Sequence, residues 1–236
     1  MKSIARSAAL LIATGMLTFS CRQELDTQKV QPAEAGQVLT AAQLDDQRTQ
    51  FAKTLAKALA NEEVRSFIKL EAGKQFDLDY DVLFQLAKDK KLSGGHSFSA
   101  TLAGFADSEA QFAKTTASLP LLTIFVPELK GFSAKNWDVA NQIPMVAVVN
   151  SGHDEQKATK IIAFDHEGNQ HELDSKEEPS FPVIVVKENE RLVAKGPQNN
   201  GRKSIEPQGG LLHSDGKTAF YFTNDAFDKR KVEQKA

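Results

Sequence analysis

The apolar residues of this chain change their spacing once, at Leu119-Pro120, and that change limits the fold more than any other feature. Before it, the spacing is helical. Leu44, Arg48, Phe51, Leu55 and Leu59 recur every three to four residues from Thr40 onward, with Ala42, Ala52, Ala56 and Ala58 between them as strong helix formers. Asn61 followed by Glu62 and Glu63 reads as a break and a new N-cap, with acidic residues in the first turn where the helix dipole favours them. Val64, Phe67, Ile68, Glu71 and Ala72 carry a second stripe to Gly73. A third helix is expected to start near Asp79 or Asp81 and to carry Val82, Leu83, Leu86 and Ala87, with Gly94 and Gly95 closing the block. Phe98, Leu102, Phe105 and Phe112 predict further helical turns as far as Ser118.

After Pro120 the pattern is one of short unbroken apolar runs, which fit buried strands. They are residues 121–126 (LLTIFV), 145–149 (MVAVV), 160–164 (KIIAF) and 183–186 (VIVV), with 218–223 (TAFYFT) as an expected last strand. Residues 165–169 (DHEGN) read as a tight turn, and 182–193 as a hairpin turning at Glu188-Asn189. The Gly- and Pro-rich stretch 194–216 reads as a long loop. The fold class is therefore α+β: a helical region over 40–118 packed with a mostly antiparallel sheet, or a sandwich-like arrangement, over 119–228. Residues 40–228 are expected to form one folded unit, ahead of a charged tail at 229–236.

The start of the chain reads as an export signal. Lys2 and Arg6 form a basic head, and about 13 apolar or small residues follow from Ala8, the length of a signal peptide's apolar region and too short to span a bilayer. Thr18-Phe19-Ser20 has small residues at its first and last positions, as a signal peptidase requires, and Cys21 follows at once. Residues 1–20 are thus expected to be a signal peptide and Cys21 a site of lipid attachment. Cys21 is the only cysteine, so an intramolecular disulfide is impossible, and acylation would remove an otherwise exposed, oxidisable thiol. Residues 22–39 are polar, contain Pro32 and Gly36, and read as a flexible tether with ends roughly 20–25 Å apart.

Charge argues against nucleic acid as a partner. Lys and Arg number 29 against 31 Asp and Glu, and the basic clusters (Lys88, Lys90 and Lys91; Lys229, Arg230 and Lys231) are short and lack interleaved aromatics. The expected contact with a membrane is through the N-terminal lipid, placing the protein in the bacterial cell envelope, periplasmic or surface-facing, with an envelope protein or a glycan as partner; without the lipid it would be an ordinary secreted protein.

A search for chemistry finds no catalytic constellation. His166-Glu167-Gly168-Asn169-Gln170-His171 imitates the zinc-protease HExxH motif but is one residue too long, which would turn the second histidine about 140° away on a helix. A hairpin could still gather His166 and His171 with His153, and three histidines plus carboxylates suit zinc; a secreted metal-dependent hydrolase is the alternative reading. Against it, these are turn positions where Asp, Asn and His are common for ordinary reasons. Asp77, Asp79 and Asp81 resemble the start of a calcium loop, yet its glycine and closing glutamate positions hold Val82 and Lys88, so capping of a helix start is the better reading. No G-x-S-x-G elbow, P-loop or dinucleotide fingerprint occurs, and no cofactor is implied. Trp137, the sole tryptophan, falls between two predicted strands and is a candidate ligand contact, weighed against plugging one end of the β core.

The segments LPLLTIFVPEL, FSAKNWD, QIPMVAVV, FDHEGNQ and FPVIVVKENER, with VRSFIKLEAGKQFDLDYDVLF upstream and FTNDAFD downstream, resemble a family of bacterial secreted proteins and lipoproteins carrying a domain of unknown function. The resemblance spans roughly residues 55–195. It implies one continuous fold and an exported address, and it carries no catalytic role. The functional expectation is a lipid-anchored envelope protein that binds or interacts rather than catalyses.

Overall fold

The computed structural model describes residues 39–150, 160–196 and 206–234. Helix α1 (Ala41–Ala58) starts where the apolar period starts, and Thr40 and Gln43 close its N-terminus reciprocally. The Thr40 hydroxyl accepts from the Gln43 N–H (3.2 Å) and the Gln43 carbonyl oxygen accepts from the Thr40 N–H (2.8 Å). Helix α2 (Glu62–Ala72) begins at the expected cap, Asn61, whose side chain accepts from the Glu63 N–H. Buried Arg65 then ties the two helices together by donating to the carbonyls of Leu59 and Ala60 at the end of α1. Those carbonyls would otherwise lack partners at a buried helix end.

The expected third helix is corrected. Residues 81–83 form a strand, β1 (Asp81–Leu83), all three of them buried, and only one helical turn, α3 (Phe84–Ala87), follows. The cause is long-range: Val82 pairs with Ile124 across an antiparallel ladder, and this outweighs the local helical signal. Helices α4 (Phe98–Ala103) and α5 (Glu109–Ser118) complete the helical layer, with Ser97 and Ser108 as N-caps. Phe84 sits at the centre of that layer, edge-on to Phe51 at 5.3 Å and within 6.0 and 6.2 Å of Phe98 and Phe112.

The remaining strands are β2 (Leu122–Phe125), β3 (Met145–Val148), β4 (Lys160–Phe164), β5 (Gln170–Asp174), β6 (Val183–Glu188), β7 (Leu192–Lys195), β8 (Leu211–Ser214) and β9 (Ala219–Phe222). Six form one sheet in the order β1-β2-β6-β3-β4-β5, antiparallel except for β3 beside β6. One face of this sheet, through Val82, Ile124, Val146, Val148, Ile184 and Val186, packs on the helices in the main core. The other face carries Ala147, Ala163 and Val183 in a smaller cluster. The arrangement is α+β, helices first and sheets after.

Two further expectations change. Residues 182–193 are not a hairpin: β6 lies in the large sheet, while β7 joins β8 and β9 in a second sheet of order β7-β9-β8. Leu83 and Leu121, at the edge of the large sheet, pack with Leu192, Ala194, Phe220 and Phe222 of the small one. The stretch expected to be a long loop also contains β8, whose residues pair with β9 through a register shift between Leu211 and His213. The turn at 165–169 is present as expected and joins β4 to β5, with Gly168 at φ +86°. A side chain there would also collide with the Lys57 stem, at 2.9 Å. Among the described residues no helix is long and apolar enough to cross a membrane.

Candidate functional site

Strands β3 and β6 form the sheet's parallel pair, so their carboxyl ends open side by side. In sheets with parallel strands that end is where ligands most often bind, because the chains diverge there and leave a crevice. The crevice is present here, with a volume of ≈ 560 Å³. Its apolar wall is made by Phe125, Val149 and Val185, and its polar wall by Arg48, Asn150, Lys187, Glu188 and Glu190. The Val149 N–H still donates to the Val186 carbonyl (2.9 Å), which fixes the two strand ends to each other. Arg48 reaches in from α1, buried at 1 % exposure, bonded to Asp45 at 2.6 Å and 3.5 Å from Glu188. Asn150 Oδ1 is buried and has no hydrogen-bond partner among the described residues.

Immediately beside this groove lies a pair of carboxyl groups that the sequence presents as ordinary helix-cap residues. That reading is corrected: Asp77 and Asp81 are both fully buried, and neither caps a helix. The turn that places Asp77 holds Gln75 and Leu78 at positive φ (48° and 66°), a conformation disfavoured for bulky residues and here retained by the surrounding contacts. One side-chain amide, Asn189 Nδ2, donates to Asp77 Oδ2 (3.0 Å) and to Asp81 Oδ2 (3.2 Å). Arg191 donates to the Asp77 carbonyl (2.8 Å) and pairs with Asp79 (2.9 Å), holding the turn against the second sheet.

Burial raises the Asp77 carboxyl above the ordinary carboxylate range, against the hydrogen bonds from Asn189 and Asp81. Burial pushes Asp81 further, up to about 8, despite the opposing charge of Lys187 and with the help of the neighbouring Asp77. The link to the groove is Lys187. Its arm crosses the Phe125 ring, with Nζ 4.7 Å from the centroid, and its ammonium sits 2.9 and 3.0 Å from the two Glu190 oxygens and 3.5 Å from Asp81 Oδ2.

The residues singled out in the sequence lie elsewhere. Trp137, the candidate ligand contact, is buried rather than displayed. It is 1 % exposed, donates its indole N–H to the Gln142 carbonyl (3.0 Å), and stands edge-on to Phe132 at 5.3 Å inside the main core. The Trp137 carbonyl accepts from Lys69 on α2 (2.7 Å), which ties the loop to that helix. His171 is on exposed edge strand β5, with Nε2 2.8 Å from Asp165 Oδ2, and that contact with further hydrogen bonds from the turn's backbone holds Asp165 well below the usual carboxylate range. His166 is exposed in the β4–β5 turn. His153 and Cys21 lie outside the described residues. Among the described residues no group of three or more His, Cys, Asp or Glu side chains could hold a metal ion.

Residues 121–206 match the family described as "Protein of unknown function (DUF3103)". The matched stretch holds β2 to β7, and so includes Phe125, Lys187 and Asn189 while leaving out Arg48, Asp77 and Asp81. Neither a curated protein nor a solved structure matches the chain.

Proposed function

We propose that this chain is an exported envelope protein, held to a membrane by a lipid on Cys21, whose folded part binds a partner group in the groove at the ends of β3 and β6. The groove carries the binding half of the reading: its volume falls within the roughly 300–1,000 Å³ typical of ligand pockets, and it combines an apolar wall with a few convergent polar groups. Both charge signs line it, Arg48 and Lys187 against Glu188 and Glu190. Such a lining suits a group with both a donor and an acceptor end better than a uniformly charged one. The anchoring half rests on the basic head, the short apolar run, the small residues before Cys21 and the polar tether after it.

The two halves are tested separately. Replacing Cys21 with alanine is expected to move the protein from the membrane fraction to the soluble fraction of lysed cells. Unchanged sedimentation with membranes would end the lipid reading. For the groove, a photo-crosslinking amino acid placed at Glu190, whose side chain is 57 % exposed at the rim, is expected to trap a discrete adduct in intact cells. The same probe at Glu233, on the C-terminal helix far along the chain, is expected to give none. Identical adducts from both positions, or none from Glu190, would end the groove reading.

A further inference from the structure

We propose that Asp77 and Asp81 hold a single proton between them, and that this proton decides whether Lys187 serves the groove or the buried pair. Its effect on the groove rests on the groove's reading as a binding site, while the shared proton rests on the burial of the pair and the amide that bridges it.

Two carboxylates that are fully buried and bridged by one neutral amide oppose each other's ionisation. The available counter-charge is small. Facing Asp81 are Asp77 and Asp79 from the preceding turn, with Lys187, Asn189 and Glu190 from the end of β6, while Arg191 is spent on Asp79 and on the Asp77 carbonyl. Among the described residues Lys187 is thus the one cation paired with Asp81, with Glu190 and Asp79 competing from the anionic side. Asp81 Oδ1 is buried with no hydrogen-bond partner among the described residues. A carbonyl oxygen of a neutral acid tolerates that better than half of a carboxylate does.

The position of Lys187 agrees. Its ammonium lies within 3.0 Å of Glu190, which is largely exposed, and stands off from fully buried Asp81 at 3.5 Å. An ionised Asp81 in a low-dielectric site would draw the ammonium in; a neutral one leaves it with Glu190 at the groove rim. Loss of the shared proton therefore pulls Lys187 inward across Phe125 and removes a positive charge from the groove wall. Acid-side conditions keep the groove charged, and alkaline conditions discharge it.

The test is a ¹³C NMR titration of the full mature protein, following the Asp side-chain carboxyls and the Lys ¹³Cε signals, with Lys187 assigned from the signal that Lys187→Arg removes. One Asp carboxyl is expected to titrate near pH 8, with Lys187 ¹³Cε shifting at the same midpoint. In Asp81→Asn both transitions are expected to vanish while the other lysine signals keep theirs. The wild-type titration is decisive even if that variant folds poorly. No Asp carboxyl titrating above about pH 6, or a Lys187 signal indifferent to the carboxyl's titration, would overturn the proposal. Crosslinking at Glu190 answers a different question: a coupled titration without adducts keeps the shared proton and its pull on Lys187, and removes only the ligand.

Discussion

Replacing Phe84 with alanine is expected to cost about 3–5 kcal/mol of folding stability, the range for deleting a fully buried phenylalanine. Phe84 is 1 % exposed and touches the rings of Phe51 on α1, Phe98 on α4 and Phe112 on α5, directly after the strand that borders the large sheet. Its removal leaves a space bounded by three rings on three separate helices, and those helices cannot collapse into it together without disturbing their packing on one another. Since domains of this size are stable by only about 5–15 kcal/mol, the variant would lie near the threshold of unfolding. Urea titration followed by far-ultraviolet circular dichroism measures the loss. A midpoint within error of the wild type would mean that the layer repacks, and that Phe84 is not its centre.

The second large effect concerns pH. In the unfolded chain Asp81 releases its proton near pH 4, whereas in the fold burial holds it up to about 8. Between those values the native state binds a proton that the unfolded state has given up, so stability falls as pH rises through the window and levels off above it. At up to about 1.4 kcal/mol per pH unit, the expected loss is on the order of 2–5 kcal/mol across the window. The carboxyls whose values are lowered by hydrogen bonds, Asp138, Asp165, Asp215, Asp225 and Asp228, act with the opposite sign and only at the acid end, so they do not mask it. Asp81→Asn mimics the neutral acid and should flatten the slope, leaving the variant more stable than the wild type at pH 8. Denaturation midpoints at three pH values between 5 and 8 decide the matter; parallel lines for the two proteins would refute it.

Much of the fold was legible because it was written in local periods. The stripe from Leu44 to Leu59, the Asn61 cap and the apolar runs at 121–126, 145–149 and 183–186 all hold the elements their spacing predicts. What was not legible depends on partners far along the chain. Residues 81–83 were read as helix because their acidic neighbours imitate a cap, and only pairing with β2, about forty residues on, makes them a strand. Strand β5 (QHELD) carries almost no apolar signal because it lies on an exposed edge. The break after Glu188 looked like a hairpin turn because Asn and Glu are turn residues. In the fold Asn189 is spent on two aspartates more than a hundred residues earlier, and the chain turns off into another sheet. The candidate site has the same history. Asp77, Asp81, Lys187 and Asn189 are each unremarkable in sequence and acquire chemistry only by convergence.

The strand order has a consequence for how such a chain reaches its fold. Of the six strands in the large sheet, β6 is the last to be synthesised, yet it lies third in spatial order, between β2 and β3. Until it arrives, β1-β2 and β3-β4-β5 are two unfinished fragments, each ending in an open edge of apolar residues with unpaired backbone groups. Closing the sheet means bringing Leu122 to Glu188 and Met145 to Val183, contacts of long sequence separation that slow folding. A polypeptide of this design spends the interval before closure as a prime target for aggregation. On the proposed export reading the same delay is useful, because β6 (Val183–Glu188) locks the sheet only after its other five strands have left the membrane.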